Sequence, residues 1–321
     1  MTAAPFMGIL SDQVGRRPVI CVSVLVLLIS GTAICFTITF LAFVVLRFFV
    51  SASASTIQIT TFVLLFELCT SEYQCMYSVV AMASALIAIP FFLRIVGHFV
   101  SSWTMINALV MLPTALLTSV FYMTVESPQW LLAKCRLQNV RATVMWAARR
   151  NGLAVYDTVH QWSTMNKSIV AKSARGDFKG QRILLGRAVI VVWCWFVIIA
   201  FYYGLKLERG PTSVPLLVAR VFLQVPCCYL LYHSMMSLGR RRTLWAVLTG
   251  FSVPVESSAL LSALHLDPAL VTLIDSAIDI FVDMSVVLIF AFAVELFPTS
   301  VRSLGVFTGY FFGRVGGMAA P

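Results

Sequence analysis

The side chains that could do chemistry in this sequence are ionisable residues set in otherwise apolar runs. A charge in a membrane helix costs about 2.5–3.5 kcal/mol, so each one is a functional candidate. Asp275, Asp279 and Asp283 recur every fourth residue, which places three carboxylates in one stripe on one helix face. That stripe could bind an organic cation or relay a proton. It could equally pair with Arg47, Arg220 or Arg314, each the basic residue of an apolar run. Glu256, shortly after Pro254, and Arg220 are candidate counter-ions that would satisfy one another. Trp193, Trp195, Tyr202 and Tyr203 share one run. Their ring faces could each attract an organic cation by about 0.5–2 kcal/mol, or they could anchor the run at a membrane interface. The 8 Cys and 4 His are scattered, with no metal-ligand spacing and no nucleophile arrangement. No enzyme chemistry, cofactor or metal is expected.

Such residues need a scaffold that lives in lipid. Apolar residues make up 60% of the 321-residue chain and charged ones 11%, against roughly 45–50% and 25% in soluble domains. With about 20 apolar residues needed per crossing, nine spans are expected: 18–37, 40–66, 75–94, 100–124, 187–206, 214–234, 243–264, 268–293 and 301–321. The first two are joined by a turn near Thr37-Ile38-Thr39. Met1 to Leu10 is too short, and too poor in basic residues, for a cleavable signal.

The net charge of +10 sorts by side. Arg16, Arg17, the basic residues of 126–186, Arg240 to Arg242 and Arg302 fall on one face; Arg94, Lys206 and Arg209 fall on the other. The positive-inside rule makes the first face cytoplasmic. The surplus is thus an orientation signal, and no nucleic-acid partner is expected. Within the loop 126–186, Gln138 to Gly152 reads as a basic helix with Val140, Val144 and Ala148 on one side, suited to anionic headgroups. Lys167 to Arg182 reads as linker.

The two ends of the chain echo each other. Gly15-Arg16-Arg17 precedes one span and Gly239-Arg240-Arg241 another; at closely matched spacing follow Glu67-Leu68-Cys69-Thr70-Ser71 and Glu295-Leu296-Phe297-Pro298-Thr299-Ser300. Parallel repeats of this kind hold substrate between halves near the midplane. Gly305, Gly309, Gly313 and Gly317 form a small-residue stripe expected to let two helices pack closely, and Arg47-Ser51-Ser55 forms a similar one.

Three motifs carry a resemblance. Gly8-Ile9-Leu10-Ser11-Asp12-Gln13-Val14-Gly15-Arg16-Arg17-Pro18 resembles the loop between the second and third helices of the major facilitator superfamily. Glu126-Ser127-Pro128-Gln129-Trp130-Leu131-Leu132 resembles the signature after the sixth helix of its sugar porters and organic-ion transporters. Glu295 to Arg302 is similar to the pattern after the tenth helix of its organic cation, anion and carnitine transporters, and the Tyr202-Tyr203-Gly204-Leu205 ending of span 187–206 also resembles that subfamily. The resemblance implies an all-α polytopic membrane bundle of two parallel pseudo-repeats, incomplete at both ends. It would comprise a partial N-terminal bundle at 1–125, a cytoplasmic linker at 126–186 and a partial C-terminal bundle at 187–321.

The nine spans match the family's third to eleventh helices, so a fragment or a truncated product is expected. The implied function is alternating-access transport of small organic ions across the plasma membrane, with a coupling ion or proton as further partner. The alternative is a truncated, non-transporting membrane protein of the same fold. The resemblance implies a gate of Asp12, Arg16, Arg17, Glu67, Glu126, Arg240, Arg241, Glu295 and Arg302, with Asp12 reaching the start of the last span near Thr299-Ser300. Arg314 stands where anion and carnitine members carry Arg, whereas Cys228 replaces a Lys of the anion transporters. Gln74, Met236, Ser51 and Ser55 also depart from the pattern, at positions where Arg, Asp, Gly and Gly are expected.

Overall fold

A computed structural model describes residues 4–70, 73–119, 121, 124–152, 178–209, 214–263 and 268–320. Every regular element among them is helical: α1 (Ala4–Val14), α2 (Arg16–Ile34), α3 (Phe40–Leu68), α4 (Gln74–Phe99), α5 (Trp103–Ala115), α6 (Pro128–Ala133), α7 (Leu137–Arg150), α8 (Phe178–Arg209), α9 (Val214–Ser237), α10 (Arg240–Ala263), α11 (Pro268–Leu296) and α12 (Arg302–Ala319). Long apolar runs become helices because a helix satisfies its own backbone hydrogen bonds where no water can. Five of them, α2, α3, α4, Leu185–Leu205 of α8 and Ile274–Leu296 of α11, are long and apolar enough to cross a membrane.

Three boundaries differ from the sequence expectation. The chain before Arg16 is helical from Ala4, and the basic turn shrinks to Gly15, whose φ of +123° only glycine tolerates easily. Span 100–124 is not continuous: α5 stops at Ala115 and Leu116–Ser119 forms a 3-10 turn. Pro113 lies just upstream; it removes one hydrogen-bond donor and crowds the preceding turn. Finally, α8 opens at Phe178 rather than 187, because Ile183, Leu184 and Leu185 prolong its apolar run. Of the expected linker at Lys167 to Arg182, residues 167–177 lie outside the described residues and the rest is helix.

Two bundles result. In the first, α2 packs along α3 and α5 braces α2; in the second, α10 packs along α11 and α8 along α12. The bundles meet where α1 and α3 touch α12, and where α4 touches α9 and α11. One core cluster runs through both, from Ile59, Phe62 and Val63 on α3 to Trp195 on α8, Val287 to Phe290 on α11 and Phe307 on α12. The Phe290 ring meets Trp195 edge-on at 4.4 Å and Phe62 at 5.7 Å. Such contacts add roughly 0.5–1.5 kcal/mol beyond burial.

The repeat is visible in the helices themselves. Arg16 and Arg240 each open a helix after a glycine of positive φ, and α3 and α11 are both 29 residues long. Aligning α3 with α11 end to end sets Arg47, Ser51 and Ser55 against Asp275, Asp279 and Asp283.

The seam between α8 and α12 depends on missing side chains. A Cβ on Gly309 would stand 2.8 Å from Trp195 Cδ1, and one on Gly317 2.6 Å from Tyr203 Cδ2. A Cβ on Gly313 would stand 3.1 Å from Ile199, while one on Gly316 would run into the backbone carbonyl oxygen of Phe196, which cannot move aside. Gly305 does not belong to this seam; a Cβ there would stand 2.5 Å from the Phe297 ring. Ser51 and Ser55 do not pack helices either, and line a cavity described below.

Between the bundles, Ser127 caps α6 by accepting from Trp130 N, with Pro128 at the first helical position. α7 lays Val140 and Val144 on Trp130 and Leu131.

Candidate functional site

Most residues expected as a gate lie together in a clasp at the basic end of the bundle. α1 delivers Asp12 to the N-terminus of α12, where its carboxylate accepts from the amides of Ser303 (3.3 Å) and Leu304 (2.9 Å). Those amides are unpaired donors at the positive end of a helix dipole, so a carboxylate is favoured there. The contact lies one turn beyond the expected Thr299-Ser300. Burial pushes the Asp12 carboxyl above its ordinary value, and the Leu304 amide and Arg16 pull it back.

Arg16, fully buried, bonds Asp12 at 3.0 Å, Glu67 at 3.2 Å and the Thr299 carbonyl at 3.0 Å. Glu67, carried to the same point by the end of α3, also binds Arg302 at 2.9 Å. One carboxylate therefore joins an arginine from each half. Glu126 accepts from the amides of Arg16 (2.9 Å) and Arg17 (3.2 Å), closing the start of α2. The Arg17 guanidinium donates to the Phe121 carbonyl at 3.0 Å.

Four members of the clasp are not among the residues expected from sequence. Trp130 donates to the Asp12 carbonyl at 2.9 Å, Gln129 accepts from Arg302 at 3.2 Å, and Ser11 donates to Ser303 at 3.3 Å. Gln129, Trp130 and Ser11 lie inside the quoted motifs and Ser303 directly follows one, so the signal was present.

The mirror position in the second half is weaker. Arg240 pairs with Glu295 at 2.5 Å as Arg16 does with Glu67, but Arg241 is exposed. Gln74, standing where Arg302 stands in the other repeat, turns back on the carbonyls of Phe66 and Cys69 in its own half. Met236, mirroring Asp12, is exposed. The α4–α9 contact carries instead Cys75 against Met235 at 3.8 Å between sulfurs.

Deeper in the second bundle, Arg220 on α9 holds Asp279 at 2.9 Å and Asp283 at 2.5 Å, and Gln224 donates to Asp283 at 3.0 Å. The expected Arg220–Glu256 pairing is not made: the Arg220 guanidinium is taken by Asp279 and Asp283, and Glu256 is exposed on α10. Asp275 is half-buried one turn along the stripe. Cys228 is half-buried beside the core, whereas Trp193 is 65% exposed on α8.

Arg314 occupies a third place. Its guanidinium binds the hydroxyls of Tyr203 and Tyr310 and lies over both rings, 5.4 and 4.7 Å from their centroids. Tyr202 meets Tyr203 edge-on at 5.2 Å. Arg314 faces a cavity of about 240 Å³ between the halves, with Ala4, Ser51, Ser55 and Gln58 on one side and Tyr310 and Phe311 on the other. Among the described residues no carboxylate pairs with Arg314. Along α12 it stands about 18 Å from Arg302, near the middle of a bilayer roughly 30 Å thick. No group of three His, Cys, Asp or Glu fit to hold a metal occurs among the described residues.

The family model described as "Major Facilitator Superfamily" matches residues 1–321. The chain belongs to this superfamily. Membership and the apolar helices together make it a multi-pass integral membrane protein. It is 27% identical over 330 residues to solute carrier family 22 member 15 of Xenopus tropicalis, covering 98% of this chain and 60% of the relative. It is 25% identical to the organic cation transporter protein of Drosophila melanogaster (98% and 59%) and 24% to human solute carrier family 22 member 7 (100% and 60%). The chain thus spans about three-fifths of the length of these relatives. Its fold is similar to the proton:xylose symporter XylE, with a TM-score of 0.77 at 15% identity, covering 100% of this chain and 76% of that one. It is also similar to the human organic anion transporter MFSD10, at 0.65 and 16%, covering 99% and 73%.

Proposed function

We propose that the protein carries small organic ions bearing a carboxylate, anionic or zwitterionic, across the plasma membrane by alternating access. The observation that carries this reading is Arg314: a guanidinium without a carboxylate partner among the described residues, facing a cavity between the halves at mid-membrane depth. A charge left uncompensated there is costly, and an anionic group of a bound ion offsets that cost. The tyrosine hydroxyls and rings fix the guanidinium so that its free face points at the ligand. Across the cavity Ser51, Ser55 and Gln58 offer neutral hydrogen-bonding groups suited to the rest of a polar molecule.

The clasp supplies the motion. Asp12, Arg16, Glu67 and Arg302 hold the basic, cytoplasmic ends together, and releasing them opens the cavity to that side. Asp279 and Asp283 share the Arg220 guanidinium, an acidic pair with more negative than positive charge, suited to a coupling cation. The name of the Drosophila relative, organic cation transporter protein, supports a small organic ion as the substrate, and the choice of a carboxylate-bearing one rests on Arg314.

The test is uptake into proteoliposomes of cationic, anionic and zwitterionic probes of similar size. Carboxylate-bearing probes are expected to enter and a plain cation to be excluded, and Arg314→Asp to lower the carboxylate uptake by at least about ten-fold. Uptake that ignores probe charge, or is unchanged in Arg314→Asp, removes Arg314 from the substrate path.

A further inference from the structure

α7 carries more positive charge than its own stability explains. Between Glu126 and Asp157 the sequence has no acidic residue, but it has Lys134, Arg136, Arg141, Arg149 and Arg150. All five are exposed, and none pairs with a carboxylate among the described residues. Glu126, the acid just upstream, is taken by the amides of Arg16 and Arg17. Arg149 and Arg150 sit in the last turn of α7, where the helix dipole favours a cation. Lys134 and Arg136 lie at the opposite end, and Arg136 is the N-cap residue, a place where the dipole favours an acid instead. Charge held against the dipole points to an anion outside the helix.

The faces of α7 are divided. Val140 and Val144 rest on Trp130 and Leu131, and Ala148 is buried one turn further along the same stripe. Away from that stripe, Arg141 and Arg149 stand two turns apart. Trp146, 45% exposed, carries the Arg150 guanidinium 5.4 Å over its ring. The apolar face is thus used inside the protein, and an arginine face with one indole in it is turned outward. Trp130 fixes the level of that face. Arg16 and Arg136 lie 5.8 and 5.3 Å from the Trp130 ring centroid. The base of α7 therefore stands within a headgroup layer's depth of Arg16, which opens the membrane-length helix α2.

We infer that α7 is a docking surface for anionic phospholipid headgroups. Arg136, Arg141, Arg149 and Arg150 engage the phosphates, whose oxygens match the guanidinium fork, and Trp146 anchors the helix at the interface. The helix lies on the bilayer rather than in it, because its apolar face is already packed on α6. A bilayer is favoured over an acidic protein by the depth of Arg136 and by the exposed Trp146, a residue type enriched where lipid meets water. Each basic residue brought to an anionic leaflet strengthens binding roughly five-fold, so several act together without a shaped pocket. The surface is separate from the Arg314 cavity and does not rest on the transport reading.

The full chain is placed in nanodiscs of phosphatidylcholine, alone or mixed with phosphatidylserine, and amide hydrogen exchange is followed in peptides covering 137–150. Exchange is expected to be about ten-fold slower with phosphatidylserine, and high salt to remove the difference. Arg141→Gln, Arg149→Gln and Arg150→Gln together abolish the difference, whereas Lys at the same three positions keeps it. Each variant is compared with itself in the two lipids, so a helix loosened by the substitutions shows in phosphatidylcholine alone. Equal exchange of the unaltered chain in the two lipids, or a difference that survives the three Gln substitutions, overturns the proposal. So does slowing by free phosphoserine or polyglutamate where phosphatidylserine has no effect, which assigns the face to a soluble anion or an acidic protein. The unaltered chain decides the matter by itself, whether or not the Gln variant keeps its helix.

Discussion

Glu67 shows how much one side chain can hold. Its two oxygens serve Arg16 from its own half and Arg302 from the other, with no exposed side-chain surface. Removing one partner of a buried ion pair typically costs about 3–5 kcal/mol, because the partner charges stay buried. Glu67→Gln leaves the Arg302 guanidinium without its carboxylate and Arg16 with Asp12 alone, and is expected to lower the thermal unfolding midpoint more than any other single clasp substitution. Asp12→Asn keeps an acceptor for one of the two amides at the N-terminus of α12 and leaves Glu67 to balance Arg16, losing the Asp12–Arg16 pair and a charge–dipole part of order 0.3–2 kcal/mol. A smaller shift for Glu67→Gln than for Asp12→Asn, measured side by side, contradicts the assignment of Glu67 as the hub.

Among the helices, the closest packing is between α8 and α12, and it is set by glycine. Gly309→Leu drives a side chain into Trp195, and overpacking of a tight core costs about 1–3 kcal/mol. The matched control is Gly97→Leu, since a Cβ there meets nothing within 4 Å. Unfolding midpoints should separate the two by several degrees; equal midpoints mean the seam yields. Element existence was legible in the sequence because uncharged runs of membrane length have one backbone solution in lipid. Their ends were less so. Nothing in composition distinguishes a helix that stops at Ala115, after Pro113, from one that runs on, and Gly316 is spaced off the four-residue stripe that drew attention to its neighbours.

At the scale of the whole molecule, the halves are held asymmetrically. One mirror position carries Asp12, Arg16, Glu67 and Arg302, linked across the halves; the other carries the Arg240–Glu295 pair within one half and a sulfur contact between Cys75 and Met235. The motifs draw attention to the clasp residues in sequence, since a carboxylate near a helix start and paired arginines have local signatures. Which charges meet at depth was not legible. Arg220 finds Asp279 and Asp283 because α9 packs on α11, and Ser51 and Ser55 meet Arg314 across the cavity because α3 touches α12; both are facts of tertiary packing. If substrate passes through the Arg314 cavity, the clasp must open on every cycle. Ser11 and Ser303, whose hydroxyl oxygens are 3.3 Å apart, provide the handle. The decisive measurement is uptake of a labelled carboxylate-bearing ion into proteoliposomes by the Ser11→Cys, Ser303→Cys double variant, before and after oxidation. The expected result is uptake in the reduced protein, its loss once the cross-link forms and its return with reductant. Equal uptake by the reduced and cross-linked protein would contradict alternating access through this clasp.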